Sequence, residues 1–458
     1  MLAKHQRIKA LAKHQRIEIM RKRQLIETEL TRLARRSHLR RPMPAPRGLF
    51  LQLDNVSRIH HSRQQPPKNI AATLKFMDDV RRDLRNDRAQ RVLLYRLGSL
   101  GDTLIALPAF HLIARAFPTA ERHLLTNLPI AAKAPPAAAV LDHTGLVHGY
   151  LRYTTGTRNI AELLRLAATI RRWRPDVLVY LAAARGLDAA RRDQRFFRLC
   201  GIRRQIGVPL TPAMQLNLFG GEASTTPDAE LEPEASRLAR NIAELGDAHL
   251  DDPSSWDLHL TPPEHDIAAR AIGPEALSPG HPALKNEIFA VSVGTKVQSK
   301  DWGRDNWRTL LSRLARAFPN RALLLAGSPE ESDASDFAAA DWLSNGGGPI
   351  VNLCGRLTPR ESAAAFARAR LFIGHDSGPM HLAAAVGTPC VAIFAARNIP
   401  RQWFPYGAAH RILYHRVECA GCGLETCIEQ QKKCILSITV DEVLAAIRSA
   451  LEERRSLR

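Results

Sequence analysis

Residues 91–117 read RVLLYRL-GSLGD-TLIALPAFHLIARAF, and the order of these three pieces decides the fold. Arg91–Leu97 is apolar at most positions, the pattern of a strand covered on both faces. Gly98–Asp102 is short and rich in small residues, and reads as a tight loop. Thr103–Phe117 brings apolar residues back at helical spacing, and Pro118 closes it. Strand, tight loop and helix form the opening of a parallel α/β unit.

The same alternation extends outward. Arg122–Thr126 and Asp176–Ala182 read as strands and Arg158–Trp173 as a helix. A second series begins at the strand Ile288–Val293. Helices follow at 305–317 and 331–343, at Arg360–Ala369 and from Pro379. Strands fall at Ala322–Ala326, Ile350–Leu353, Leu371–Gly374 and Cys390–Phe394. Residues 220–285, rich in Pro, Asp, Glu and Ser, carry the connection. The expected organisation is a basic amphipathic helix at 1–43, a linker and helix at 44–90, one Rossmann-like domain at 91–284 and a second at 285–458. Ligands of open parallel sheets bind beyond the carboxyl ends of the strands, so both domains would offer loops to a shared cleft.

Hydrophobic residues make up 45% of the 458, enough to bury cores of this size. No run reaches the roughly 18 uncharged apolar residues of a membrane-spanning helix, and residues 1–41 lack the apolar stretch of a signal peptide. A cytoplasmic protein with reduced cysteines is therefore expected. The net charge is +20, of which residues 1–41 carry +10. The rest is expected to be spread over more than four hundred residues. LAKHQRI occurs twice in the basic segment, at 2–8 and 11–17, and its apolar stripe (Ile8, Ala12, Ile19, Ile26, Leu30, Leu33) suits reversible attachment to an anionic membrane surface. A solvated helix or a coiled-coil contact between subunits fits it nearly as well.

Three loops carry chemistry. The first holds Ser99, Gly101 and Asp102 between a strand and a helix start. Asp102 is either a helix N-cap or a general base taking a proton from an acceptor hydroxyl. The second is Gly294-Thr295-Lys296 followed by Ser299-Lys300-Asp301-Trp302, where lysines could hold a diphosphate. The third is Gly374-His375-Asp376-Ser377-Gly378-Pro379-Met380-His381, whose helix start offers amides to an anion. Capping for Asp376 and a core position for His381 are the plainer readings.

Taken in order, G-S-x-G-D, G-T-K-x-x-S-K-x-W and G-x-D-S-G-x-x-H resemble glycosyltransferase family 9, which includes the ADP-heptose:lipopolysaccharide heptosyltransferases. The resemblance covers roughly residues 91–450. It implies a GT-B fold, two Rossmann-like domains facing a central cleft, with the acceptor held by the first and the nucleotide sugar by the second. It further implies that Asp102 is the catalytic base, beside the Ser99/Gly101 loop. Lys300 would contact the donor phosphate. Thr295, Lys296, Ser299, Asp376, Ser377, Gly378, Met380 and His381 would bind the donor, with Glu331 near the nucleoside. Gly98 and Lys296 depart from the family's commoner hydroxyl residues. The implied reaction is inverting transfer of a sugar, with ADP-heptose as the leading donor, to a lipid-linked glycan at the inner membrane. Lys300 and the helix start would replace a metal, so no cofactor is required for catalysis.

Cys419, Cys422, Cys427 and Cys434 are spaced so that a structural zinc or iron–sulfur site is one reading and a compact loop of thiols the other. Cys200, Cys354 and Cys390 read as core. Two competing functions remain at this level. One is a nucleic-acid- or membrane-binding protein on a degenerate GT-B scaffold, against which stands the absence of any nucleic-acid motif. The other is a sugar-nucleotide epimerase.

Overall fold

The computed structural model describes residues 89–128, 135–215, 231–277 and 288–456. The basic segment over 1–43 and the linker beyond it lie outside these residues. Strands β1 (Arg91–Tyr95), β2 (Glu121–Asn127), β3 (Gly149–Tyr153), β4 (Val177–Tyr180) and β5 (Arg204–Ile206) form one sheet in the order β3-β2-β1-β4-β5. β6 (Ile288–Ser292), β7 (Ala322–Leu325), β8 (Ile350–Asn352), β9 (Leu371–His375), β10 (Cys390–Phe394) and β11 (Arg411–Tyr414) form a second, in the order β11-β10-β9-β6-β7-β8. Every pairing in both sheets is parallel. The central strands β1, β4, β6, β7, β9 and β10 are buried along almost their whole length, as continuous Val, Leu and Ile runs require when helices cover both faces.

The stretch after β1 differs from the single expected helix. It folds as α1 (Leu100–Leu104) and α2 (Leu107–Ala116), with Ile105 and Ala106 between them. Pro108, near the start of α2, has no amide to continue the hydrogen-bond ladder of α1. On one face of the first sheet lie α3 (Ile160–Trp173) and α4 (Leu187–Leu199). Leu166, Ile170 and Phe197 from these helices pack on Leu93, Tyr95, Leu178 and Tyr180. The Asn159 side chain caps α3 by accepting from the amides of Ala161 and Glu162.

The two sheets belong to one compact body, held by helices that meet across the cleft. α5 (Glu234–Asn241) precedes α6 (Pro262–Ile272), which packs on α9 (Pro359–Phe366), the helix that follows α7 (Arg304–Ala317) and α8 (Ser332–Ala339). Arg360 of α9 is buried there and donates to the carbonyls of Val140 and Leu258 at 3.0 and 2.9 Å, and to the Glu264 carboxylate. The Arg360 and Thr261 hydrogen bonds outweigh burial and hold Glu264 down to about 2. The second meeting point joins α1 to α10 (Gly378–Ala385), and it builds the site.

Candidate active site

Glycine lets α1 and α10 touch end to end. A Cβ on Gly101 would stand 2.7 Å from Cδ2 of His381, and one on Gly378 would stand 2.7 Å from Cδ2 of Leu100. The residues expected on two separate loops are thus brought to one place.

At the α1 start, Ser99 is the N-cap and Asp102 occupies the third helical position. Asp102 is therefore not the N-cap itself, but its side chain still takes part in the cap. Its Oδ2 accepts from the Ser99 amide at 2.7 Å and from the Ser99 hydroxyl at 2.9 Å, and the Ser99 side chain lies against the Asp102 amide, a capping box that fixes the carboxylate. Gly98, with φ +128°, leaves room for it: an added Cβ would fall 2.3 Å from the Asp102 Cγ. The Gly98 amide donates to Asn127 Oδ1 at 2.7 Å.

Beneath this loop lies Arg96, which sequence reading passed over. It is 1% exposed. Its Nε donates to the Asp102 carbonyl, its NH1 to the Leu181 carbonyl and to Glu234, and NH2 stands 3.9 Å from Asp102 Oδ1. Glu234 is shared with buried Arg237, which grips it through two bonds of 2.7 Å. An arginine inside an otherwise apolar strand was the available signal, because such a charge must be paired. A second unread group sits at the carboxyl ends of β1, β3 and β4. Tyr95 and Tyr153 share a 2.7 Å hydroxyl contact, and Arg185 bridges Tyr95, Tyr180 and Asp193. Burial pushes the Tyr95 hydroxyl well above its ordinary range, so it stays protonated.

On the opposite side, Lys300 Nζ meets Asp376 Oδ2 at 2.6 Å and the Asp376 carbonyl at 3.1 Å. Asp376 Oδ1 lies 3.9 Å from His381 Nε2. Burial depresses the His381 pKa, and it lowers that of fully buried His375 to about 4, so His375 is neutral and its Nε2 accepts from the Trp302 amide. Ser377 caps α10 by backbone position, with Pro379 in the first turn and no acidic residue there. The Ser377 hydroxyl is buried with no hydrogen-bond partner. Thr295 is half-buried and Lys296 exposed on the loop after β6. Glu331 packs against that loop and against Gly327, where burial raises its pKa and nearby Lys296 opposes the rise.

Two expected donor-binding side chains are engaged within the chain. The Met380 side chain is wholly enclosed in the core, which leaves its backbone amide in the first turn of α10 as its means of meeting a donor. The Ser299 hydroxyl donates to the Leu424 carbonyl at 2.6 Å.

The four clustered cysteines do line one small cavity, with Ser299 and Arg397. Among the described residues, however, no three His, Cys, Asp or Glu are placed to hold a metal ion, and all seven cysteines are free thiols. Cys422 is exposed, and Cys427 Sγ accepts from the Lys432 amide. The structural-metal reading is not supported. Their loop instead braces the Lys300 turn: the Ser299 amide donates to the Glu425 carbonyl, the Cys427 amide to Gln298, and Lys432 to Asp301. Cys200, Cys354 and Cys390 are core, as expected. A separate cavity of about 710 Å³, lined by Ile105, Trp256, His381, Tyr406 and His410, does not reach Asp102 or Lys300.

Two parallel sheets whose carboxyl-end loops meet, with a carboxylate on one side and a lysine beside a helix start on the other, have the arrangement of a GT-B fold. The family model for glycosyltransferase family 9 (heptosyltransferase) matches residues 232–433. That match spans the second sheet and the segment before it, and over those residues the chain is similar to the family. It is 26% identical over 354 residues to lipopolysaccharide heptosyltransferase 1 of Pseudomonas aeruginosa, covering 74% of this chain and 88% of that one. Its fold matches a family 9 glycosyltransferase from Veillonella parvula with a TM-score of 0.57, at 17% identity, covering 80% of this chain and 98% of that one. The ADP-heptose lipopolysaccharide heptosyltransferase II of E. coli superposes with a TM-score of 0.52 at 15% identity, covering 80% and 100%.

Proposed function

We propose that this enzyme transfers heptose from ADP-heptose to a lipopolysaccharide-type acceptor with inversion at the anomeric carbon, and needs no metal to do so. The observation that carries the reading is the convergence of Asp102, His381, Asp376 and Lys300 around the contact of α1 with α10. The names of its relatives in Pseudomonas and E. coli support the sugar and acceptor class. The domain boundaries near residues 91 and 285 fit a division between acceptor and donor halves.

Asp102 takes the proton of the acceptor hydroxyl as its oxygen bonds to the anomeric carbon. The bond from that carbon to the diphosphate oxygen breaks on the opposite face, and the electron pair leaves with the nucleoside diphosphate. Lys300 and the amides at the start of α10 receive the growing charge, and the Ser377 hydroxyl is free to donate to it. Asp376 keeps Lys300 aimed while the donor is absent. Glu331, raised in pKa, donates to or accepts from the nucleoside ribose. Lipid-linked acceptors place this reaction at the cytoplasmic face of the inner membrane. Among the described residues no helix is long and apolar enough to cross a membrane.

The test is turnover with ADP-heptose and a deacylated acceptor in EDTA, with product stereochemistry read by NMR. A product anomeric configuration opposite to the donor's, formed at an undiminished rate in EDTA, is expected. Retention, or activity restored only by Mg²⁺, overturns the mechanism.

A further inference from the structure

The charge of this chain is not spread in the way expected above. Of the net +20, residues 1–41 carry +10 and residues 152–204 carry +9, so all the others together carry +1. Residues 152–204 hold thirteen arginines, no lysine and four acids. Folding gathers most of them on one surface, because α3 and α4 lie side by side on the same face of the first sheet. Arg171 of α3 donates to the Leu199 carbonyl at the end of α4.

Their apolar stripes face inward, so the arginines face out. Arg165, Arg171 and Arg172 on α3 are exposed, as are Arg191, Arg192, Arg195 and Arg198 on α4. Acids on these helices hardly answer them. Asp193 is buried and held by Tyr180 and Arg185, with Arg192 3.5 Å from its other oxygen; Glu162 is tied to Thr154 and Thr157, and only Asp188 stands fully exposed, 3.5 Å from Arg191. Among the arginines lie Ile160, Leu164 and Leu199, at 72%, 64% and 74% exposure.

We infer that the α3–α4 face docks on an anionic phospholipid bilayer. Guanidinium forks pair with lipid phosphates two bonds at a time. Three large aliphatic side chains on the same surface would be unfavourable in water but suit the boundary between headgroups and acyl chains. A nucleic-acid surface would be expected to offer rings for stacking. Here Trp173 stacks on His123 and Phe196 packs on Phe197, and neither stands exposed. The N-terminal ends of α3 and α4 follow the carboxyl ends of β3 and β4, the edge from which Asp102 faces the cleft. Docking through this face therefore brings the acceptor side of the cleft to the membrane. The inference rests on the proposed lipid-linked acceptor for its purpose but not for its test.

The full chain is floated with vesicles of phosphatidylethanolamine and phosphatidylglycerol (7:3), and with pure phosphatidylcholine, at 0.1 M salt. Arg172→Glu/Arg195→Glu/Arg198→Glu should lower binding to the anionic vesicles by at least about 10²-fold, since each basic residue near such a leaflet contributes roughly fivefold. Ile160→Ser/Leu164→Ser/Leu199→Ser should lower it severalfold. Neither set touches the cleft residues, so turnover on a soluble deacylated acceptor should stay at the wild-type level, which separates this inference from the proposed function. Vesicle binding unchanged by the arginine set overturns it. So does a short RNA that binds this face, displaces the vesicles and is indifferent to the aliphatic set, because that face would then be a polyanion site.

Discussion

The starts of α1 and α10 are built alike and finished differently. Each follows a central buried strand, each has serine at the N-cap, and each carries a glycine where the other helix touches it. At α1 the serine hydroxyl and amide are both taken by the Asp102 carboxylate, so that end supplies its own negative charge. At α10 no acid occupies the first turn, the Ser377 hydroxyl is unpartnered, and Lys300 stands beside the preceding loop. One helix start holds a carboxylate that can accept a proton. The other offers positive charge to an anion. In the proposed reaction the same local geometry would serve the acceptor or the donor according to whether position three is Asp102 or Met380.

The largest effect should come from Asp102→Asn. The amide can still accept from Ser99, but it cannot take a proton, and turnover should fall by about 10²–10⁴-fold in a steady-state assay. Weakening the box should cost no more than about 1 kcal/mol of stability in denaturant titration. Lys300→Ala should raise the donor KM by about tenfold or more, while Lys300→Arg recovers part of it. This change also leaves Asp376, 7% exposed, without its cation, so the melting temperature should fall measurably.

Much of this was legible before the structure, for identifiable reasons. Continuous apolar runs such as IFAVS and CVAIF can only be buried strands in an α/β chain, and they were placed to within a residue or two. β3 and β11 were missed because GYLRY and RILY are half-exposed edge strands without such a run. α4 was missed because LDAARRDQRFFRL shows four arginines before it shows its inward Ala190 and Phe197. The motif loops named Asp102, Lys300 and Asp376. Their order could not show that Ser99 rather than Asp102 is the N-cap of α1, that the Met380 side chain turns inward, or that Arg96 lies beneath Asp102. Those facts depend on where each helix begins and which face it presents.

Acid should separate the two halves of the comparison. His375 has its pKa lowered by burial to about 4, and His381 is lowered in the same direction. A group depressed in the folded state stabilises above its unfolded pKa, and that contribution is lost as pH falls. For His375 the window runs from about 6.5 down to about 4. Unfolding between pH 7 and 5 should therefore show a loss of about 1–2 kcal/mol that His375→Asn diminishes. The smallest effect should be that of Ser377→Ala. Its hydroxyl is buried and unpartnered, so stability should change by less than about 0.5 kcal/mol or rise slightly. The donor KM should still rise severalfold if that hydroxyl meets the diphosphate.

The division of labour between the two helix starts is tested most directly by calorimetric affinity for ADP in three proteins: wild type, Asp102→Asn and Lys300→Ala. Asp102→Asn should bind ADP as the wild type does, and Lys300→Ala at least about tenfold more weakly. Equal weakening in both variants, or unchanged binding in Lys300→Ala, would contradict it.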